Sequence, residues 1–259
     1  MDDEKVYEIC KDLCIEHNGH RLYRIRSLIN RPRFDVLKGS LGGYIESENN
    51  LTDHGWVGDN AKVYGNAVVS DGSAVLGNAE VFDHAVVRGL SVVSGKARVY
   101  EHAKVKTNSL IGGDAKVHGN ALVTGFAIVS GNADVTDYAI VSENARVYDN
   151  ASVCEQAIVS GWAKIYDTVC VKGVANIRES VEIRGDAVIK QHTDYMVFHD
   201  TWSAFYTFVW TASNDKWSVW SQSRTAEDMI KQAYNFSEVC GKGFEATANY
   251  VNELKKIRG

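Results

Sequence analysis

The sequence predicts a mainly β solenoid, on three observations. An aliphatic residue returns at every sixth position from Ile45 to Ile189, with no polar interruption in the walk through Leu51, Val57, Val63, Val69, Val75 and onward. Two places ahead of each aliphatic, from Ala61 to Ala187, stands Ala, Ser or occasionally Val. The residues that follow each aliphatic are turn formers, usually Gly, Asp or Glu and then very often Asn, as at Asn60, Asn66, Asn78, Asn120, Asn132, Asn144 and Asn150.

Each part of the hexad has a physical reason. In "AKV" or "ARV" the alternation of a strand turns the small residue and the valine to one side and the middle residue to the other. The Gly-Asn or Asp-Asn pair then bends the chain, because these residues tolerate positive φ where β-branched residues do not. A helix needs apolar spacings of three and four, so a strict six excludes it. Short strand, corner, short strand, corner is the signature of a β-helix.

Two other pieces flank the repeat, giving expected boundaries of 1–44, 45–192 and 193–259. The first is read as an N-terminal α/β cap: a short helix over Asp3 to Glu16, with Cys10 and Cys14 on one helical face, then a strand in "HRLYRIRSLI". A glycine-rich connector, "DVLKGSLGGYIESENNL", starts the first coil and covers its open edge. The last piece breaks the hexad and reads as a small α+β domain. "YMVFH", "SAFYTFVWTA" and "KWSVWSQ" are strands, the last two joined through Ser213-Asn214-Asp215. "TAEDMIKQAYN" and "FEATANYVNELKKI" are helices, the first capped by Thr225. Trp202, Tyr206, Phe208, Trp210, Trp217 and Trp220 are expected to form this unit's own core.

The bulk numbers narrow the classes. With 45% hydrophobic and 24% charged residues over 259 positions, the chain reads as a soluble globular protein. "MDDEKVYEIC" is too polar for a signal peptide, and no apolar run reaches membrane-spanning length. Five cysteines without a zinc-type CxxC pair are read as reduced cytoplasmic thiols. A net charge of −5 argues against a protein built to grip nucleic acid.

"V-x-G-N-A-x" resembles the hexapeptide repeat of left-handed parallel β-helices, and the resemblance covers roughly 45 to 190. Gly42-Gly43-Tyr44-Ile45-Glu46 is similar to the entry segment of the YdcK-like bacterial and phage-borne solenoids within that family. The family implies a triangular cross-section with three hexads per coil, hence about eight coils and a prism on the order of 40 Å long at ~4.8 Å per rung. Residues eighteen apart then stack in columns. The first face carries Lys62, Glu80, Arg98, Lys116 and Asp134 beside Tyr64, Phe82, Tyr100, His118 and Thr136. The second carries Val68, Val86, Lys104, Leu122, Ile140, Ile158 and Asn176, and the third Ala74, Val92, Leu110, Ile128, Arg146, Lys164 and Glu182.

Outward aliphatics over several coils exceed what a monomer usually leaves bare, so Val68, Val86, Leu122, Ile140 and Ile158, with Val92, Leu110 and Ile128, are the expected interface. Family likeness implies a homotrimer through these faces. The resulting expectation is a non-catalytic, self-associating scaffold or protein-binding module without a cofactor. By analogy with the phage-borne relatives, it acts as an accessory protein against a host defence factor.

An alternative is an acyltransferase using acetyl-CoA or another acyl donor, with His84, His102 or His118 as the base between subunits. The unbroken phase from Ile45 to Ile189 leaves no inserted loop to shape a pocket, which weighs against it. His84 and His102 stack beside Asp83 and Glu101, yet no third ligand for a metal is evident, and they occupy the turn slot of Asn66 and Asn120. A third expectation is an anion site on a basic collar of Lys172, Arg178, Arg184 and Lys190.

Overall fold

Twenty-four strands stacked in three parallel ladders, with an isolated bridge at Leu51, make up most of the molecule. A computed structural model describes residues 6–199, 207–219 and 221–258. From Trp56–Val57 to Val188–Ile189 a two-residue strand recurs every six residues, forming a parallel solenoid of about eight turns. Lys62 pairs with Glu80, Val68 with Val86 and Ala74 with Val92, so each rung lies on the one eighteen residues away. The three faces are those expected, and the columns named above are the ladders observed.

The interior is a stack of aliphatics over small residues. Val63, Val69, Val75 and their successors have no exposed surface, nor do Ala61, Ala67 and Ala79. Serine replaces alanine at Ser73, Ser91 and Ser109, all fully buried. Each of these hydroxyls donates to the carbonyl three residues back, at Ser70 (2.5 Å), Arg88 (2.9 Å) and Lys106 (2.5 Å), so none of the three is left unpaired. Between coils the backbone pairs rung by rung, as Lys62 N–H with the Ala79 carbonyl (3.0 Å) and Tyr64 N–H with that of Val81 (3.1 Å).

Corners explain the acidic residues of the repeat. The first turn residue is left-handed whether it is glycine, as Gly65 (φ 65°), or not, as Asp83 (58°), Glu101 (58°), Asp137 (58°) and Glu143 (60°). That conformation costs an L-residue about 1–2 kcal/mol. Here the carboxylate offsets the cost by accepting the backbone N–H one coil on. Gly119 N–H donates to Glu101 Oε2 (2.7 Å), Glu155 N–H to Asp137 Oδ2 (2.9 Å) and Gly161 N–H to Glu143 Oε2 (2.8 Å). At most corners without an acid, glycine removes the strain instead, Thr107 (φ 55°) being an exception.

Where a helix is expected over Asp3 to Glu16 the chain forms a strand, Tyr7–His17; Asp3, Glu4 and Lys5 lie outside the described residues. It pairs antiparallel with His20–Ser27 through Asn18-Gly19, both left-handed (φ 49° and 82°), as a two-residue hairpin requires. A bulge between Cys10 and Cys14 breaks the period of two and leaves a spacing of four that imitates a helix. The second strand pairs with Leu41–Ile45, which joins the first ladder through Tyr44 and Lys62. Gly42 and Gly43 are required there, since a Cβ at either would stand 2.5 Å from the carbonyl oxygen of Val57 or Ala61. Arg31 stacks on buried Trp56 at 4.8 Å, and Phe34 and Val36 pack on the same core, so the terminal segment covers the start of the third face.

The other end is closed by four antiparallel strands, Tyr195–His199, Thr207–Thr211, Lys216–Val219 and Gln222–Arg224. Strand alternation gives this sheet two apolar sides. Tyr195, Val197 and Val209 pack on the solenoid core. Phe208, Trp210 and Trp217 pack on helices α1 (Ala226–Phe236) and α2 (Glu238–Arg258). These three aromatics are core, as expected; Trp202, Tyr206 and Trp220 lie outside the described residues. Thr225 caps α1 by accepting Asp228 N–H. Helix α2 begins earlier than the pattern suggested, because Ser237 accepts Cys240 N–H (3.1 Å) and Gly241 fits against the ring of Tyr234, where a side chain would collide.

The solenoid's last coil is docked by side chains of this cap. Ser218 accepts Arg184 N–H (2.9 Å), Ser213 accepts Val188 N–H (2.7 Å), and Asp186 accepts from Asn214 (2.9 Å) and Lys216 (3.1 Å).

Two outcomes are expected. Val123→Asp buries a charge among stacked valines and lowers Tm by roughly 10 °C or more, whereas the outward Ile140→Lys leaves it nearly unchanged; thermal melting checks both. Hydrogen bonds from Asn214 and Lys216 hold the Asp186 carboxyl below its ordinary range. A depressed carboxylate stabilises the docked cap above its unfolded pKa of about 3.9 and loses that contribution as pH falls below it. Hydrogen exchange in 207–219 is expected to quicken, relative to intrinsic rates, as the parent approaches pH 3, and already at pH 7 in Asp186→Asn.

Candidate functional site

The second face carries a run of outward apolar side chains. Its middle rungs place Leu122, Ile140 and Ile158 side by side, half exposed, in one parallel ladder. Val68 and Val86 continue the column toward the N-terminus, again half exposed. On the third face Val92 and Ile128 are half exposed and Leu110 is exposed, in register along one ladder. All eight residues expected to form the interface therefore face outward, away from the valine core.

Corner residues extend the surface in a way the columns of rungs alone do not reveal. Phe126 and Trp162 stand on the edge between second and third faces, 62% and 59% exposed. Tyr138 and Val174 stand on the opposite edge of the second face, 65% and 70% exposed. Each occupies the slot that Asn60, Asn66 and Asn120 fill elsewhere, so the sequence signal was an aromatic or valine in an asparagine column. Side chains from both corners thus flank the strip of isoleucines and Leu122. At the rim near Ile158, Ser142, Glu143, Ser160 and Arg178 border an open groove of about 480 Å³.

A second groove, about 440 Å³, runs along the corner between the first and second faces and contains His20, His84 and His102. The rings of His84 and His102 stack with centroids 4.9 Å apart and planes 11° from parallel. Their backbones behave as the asparagines do: His84 N–H donates to Glu101 O (2.8 Å), His102 N–H to Gly119 O (2.9 Å) and Asn120 N–H to Asp137 O (2.6 Å). The neighbouring carboxylates serve the corner. Asp83 accepts Glu101 N–H (3.1 Å) and Glu101 accepts Gly119 N–H (2.7 Å). Among the described residues no three His, Cys, Asp or Glu side chains form a group able to hold a metal ion.

His118 does not join that pair. It lies on the first face, 3.0 Å from Asp134, 3.2 Å from Thr136 and stacked on Tyr100 at 4.7 Å. The sequence showed it no partner, because Asp134 is a diagonal neighbour on the next rung. The aromatic column itself is one continuous stack, Tyr64–Phe82–Tyr100–His118, with centroids 4.7–5.1 Å apart. Ring faces are spent on each other, so the strip stabilises the ladder and offers ligands only ring edges.

The basic collar spreads over three faces. Lys172 and Lys190 lie on the first, Arg178 on the second and Arg184 on the third. Arg184 is bound to Glu182 (2.6 Å) and stacked 3.8 Å over Tyr166, while Arg178 donates to Asn176 (2.8 Å). Burial, then the neighbouring Cys170, pushes the Cys154 thiol up to about 11, far from the thiolate a nucleophile needs.

The chain matches no protein-family model, and no curated protein matches it. What the fold and surface define is a class: a parallel β-solenoid with an uncovered apolar face and a docked α+β end cap. No helix of the described residues is long and apolar enough to cross a membrane.

If the imidazoles are turn residues, a His84→Asn, His102→Asn variant keeps Tm within about 2 °C of the parent, as surface changes typically do. Calorimetric titration with zinc is expected to be the same, and flat, for both proteins.

Proposed function

We propose that this chain is a non-catalytic scaffold, a rigid prism that associates with another protein surface through its second face and the adjoining corner. A second copy of the chain is the first such surface. The carrying observation is the strip formed by Leu122, Ile140 and Ile158 between exposed Phe126, Trp162, Tyr138 and Val174. Aromatic anchors beside aliphatics are the residues that supply most binding energy at protein interfaces. Leaving four large apolar side chains in water over a few coils is unusual for a monomer.

In this reading the chain is a hexapeptide-repeat solenoid of the left-handed kind, close to the YdcK-like group, and assembles as a homotrimer. The family likeness rests on the "V-x-G-N-A-x" hexads and the Gly42-to-Glu46 segment, and the role of a phage-borne accessory protein against a host factor follows from it by analogy, not from any residue. An acyltransferase would use the groove of His84 and His102. Asp83 and Glu101 each spend a carboxylate oxygen on the next coil's N–H, and among the described residues neither is hydrogen-bonded to His84 or His102, which favours the scaffold.

Light scattering on the parent and on an Ile140→Lys, Ile158→Lys variant tests the reading. The parent is expected at a multiple of the 28.6 kDa chain mass, three under the trimer, and the variant at a single chain mass with unchanged melting. A monomeric parent, or a variant of undiminished mass, overturns self-association through this face.

A further inference from the structure

Between Val68 and Arg178 the outward positions of the second-face rungs hold four cations, Arg88, Lys104, Lys106 and Arg178, and no carboxylate. In a chain of net charge −5 this is a local reversal of sign. Three of the four sit together. Arg88 N–H bonds to Val105 O (2.9 Å) and Lys106 N–H to Val123 O (2.9 Å), which puts Arg88 and Lys106 on adjacent rungs of one column. Lys104 lies two residues from Lys106, in the ladder of Val86 and Leu122.

Among the described residues none of the three cations has an acidic partner within ion-pair distance, and none of their side chains donates a hydrogen bond. Like charges on neighbouring rungs repel, so the patch is stabilised by anything that brings carboxylates to it. Lys106 feels this directly: burial, then Arg88 and Lys104, hold its ammonium below the usual lysine range. Beside the cations run Val68, Val86 and Leu122, and the hydroxyls of Ser70 and Thr124 continue the Arg88–Lys106 column at its two ends.

We propose that this patch is the docking point for an acidic, amphipathic helix of another protein. Its carboxylates meet Arg88, Lys104 and Lys106, and its adjoining apolar residues lie on Val86 and Leu122. The geometry favours a helix laid along the prism axis. Its side chains repeat every 5.4 Å, near the ~4.8 Å spacing of the rungs, so two rows of contacts stay in step over the two or three rungs the patch spans. A second copy presenting this same face does not fit the charge at the patch, so the self-association proposed above is seated on Ile140, Ile158 and their corners rather than on Arg88, Lys104 and Lys106. With axes parallel, this face meets its own patch; with axes antiparallel, the patch meets the end that carries Arg178. A nucleic-acid backbone would have to cross Val68, Val86 and Leu122, which offer a phosphate no partner.

This goes beyond the self-association proposed above and is tested by different residues. Fluorescence anisotropy at low salt would use a labelled helix-forming peptide with a leucine row beside a glutamate row. Its lysine-for-glutamate counterpart and a short DNA duplex are the comparison probes. The glutamate peptide is expected to bind the parent saturably. Lys104→Glu, Lys106→Glu should weaken it at least tenfold and bind the lysine peptide instead, with unchanged melting and unchanged mass. The Ile140→Lys, Ile158→Lys variant should keep its affinity for the glutamate peptide whatever happens to its mass, so either proposal can fail alone. Absence of binding to the glutamate peptide, equal binding to the charge-reversed variant, or tighter binding of the duplex overturns the inference.

Discussion

Everything in this molecule depends on the fit of an aliphatic over a small residue inside a coil three hexads long. Val63 and Ala61 fill one side of the triangle, the next two hexads fill the others, and the coil above repeats the arrangement eighteen residues later. No long-range element holds the prism together; each rung touches the rung above and below. Such an object behaves as a one-dimensional stack, whose stability is a sum of coil and neighbour terms. That explains why the core tolerates Ser73, Ser91 and Ser109 only with each hydroxyl bonded to its own corner carbonyl. It also explains why both ends are elaborately closed, since an open ladder exposes unpaired rungs.

The corners translate that constraint into chemistry. A left-handed residue follows each strand from Trp56–Val57 to Glu182–Ile183, and at every such corner but Thr107 it is glycine or an acid, several of the acids binding the next coil's N–H. Asp83 and Glu101 therefore look like a candidate acid pair in sequence and act as backbone ligands in space. The histidines beside them inherit the same structural setting. The polar groups the repeat places at its corners are largely consumed in holding coils together, and what is left over is surface: apolar in the middle of the second face, cationic toward its N-terminal end.

The rungs were legible because a period of six leaves no competing assignment over so many repeats. The columns followed from the eighteen-residue offset alone, as the pairing of Ile140 with Ile158 shows. Three things were hidden. The bulge at Cys10–Cys14 disguised a strand as a helix, although Asn18-Gly19 carried the hairpin signal. Phe126, Tyr138, Trp162 and Val174 were overlooked because attention to the strands passes over the corners, where a bulky side chain is most exposed. Asp134 as the partner of His118 required diagonal neighbours, which a list of columns separates. In each case the missing information was two-dimensional, a matter of which rung edge or corner lies beside which.

The regular phase also sets which changes of length the protein can absorb. Removing or adding eighteen residues shortens or lengthens the prism by one coil and leaves every column on its own face. Removing six keeps the valine core intact but turns everything downstream by a third of a revolution. Ile140 and Ile158 would then join the ladder of Lys62 and Glu80 instead of Leu122, and the end cap would swing with them. Drift in this chain's length is therefore quantised by its surface in units three times larger than its core demands.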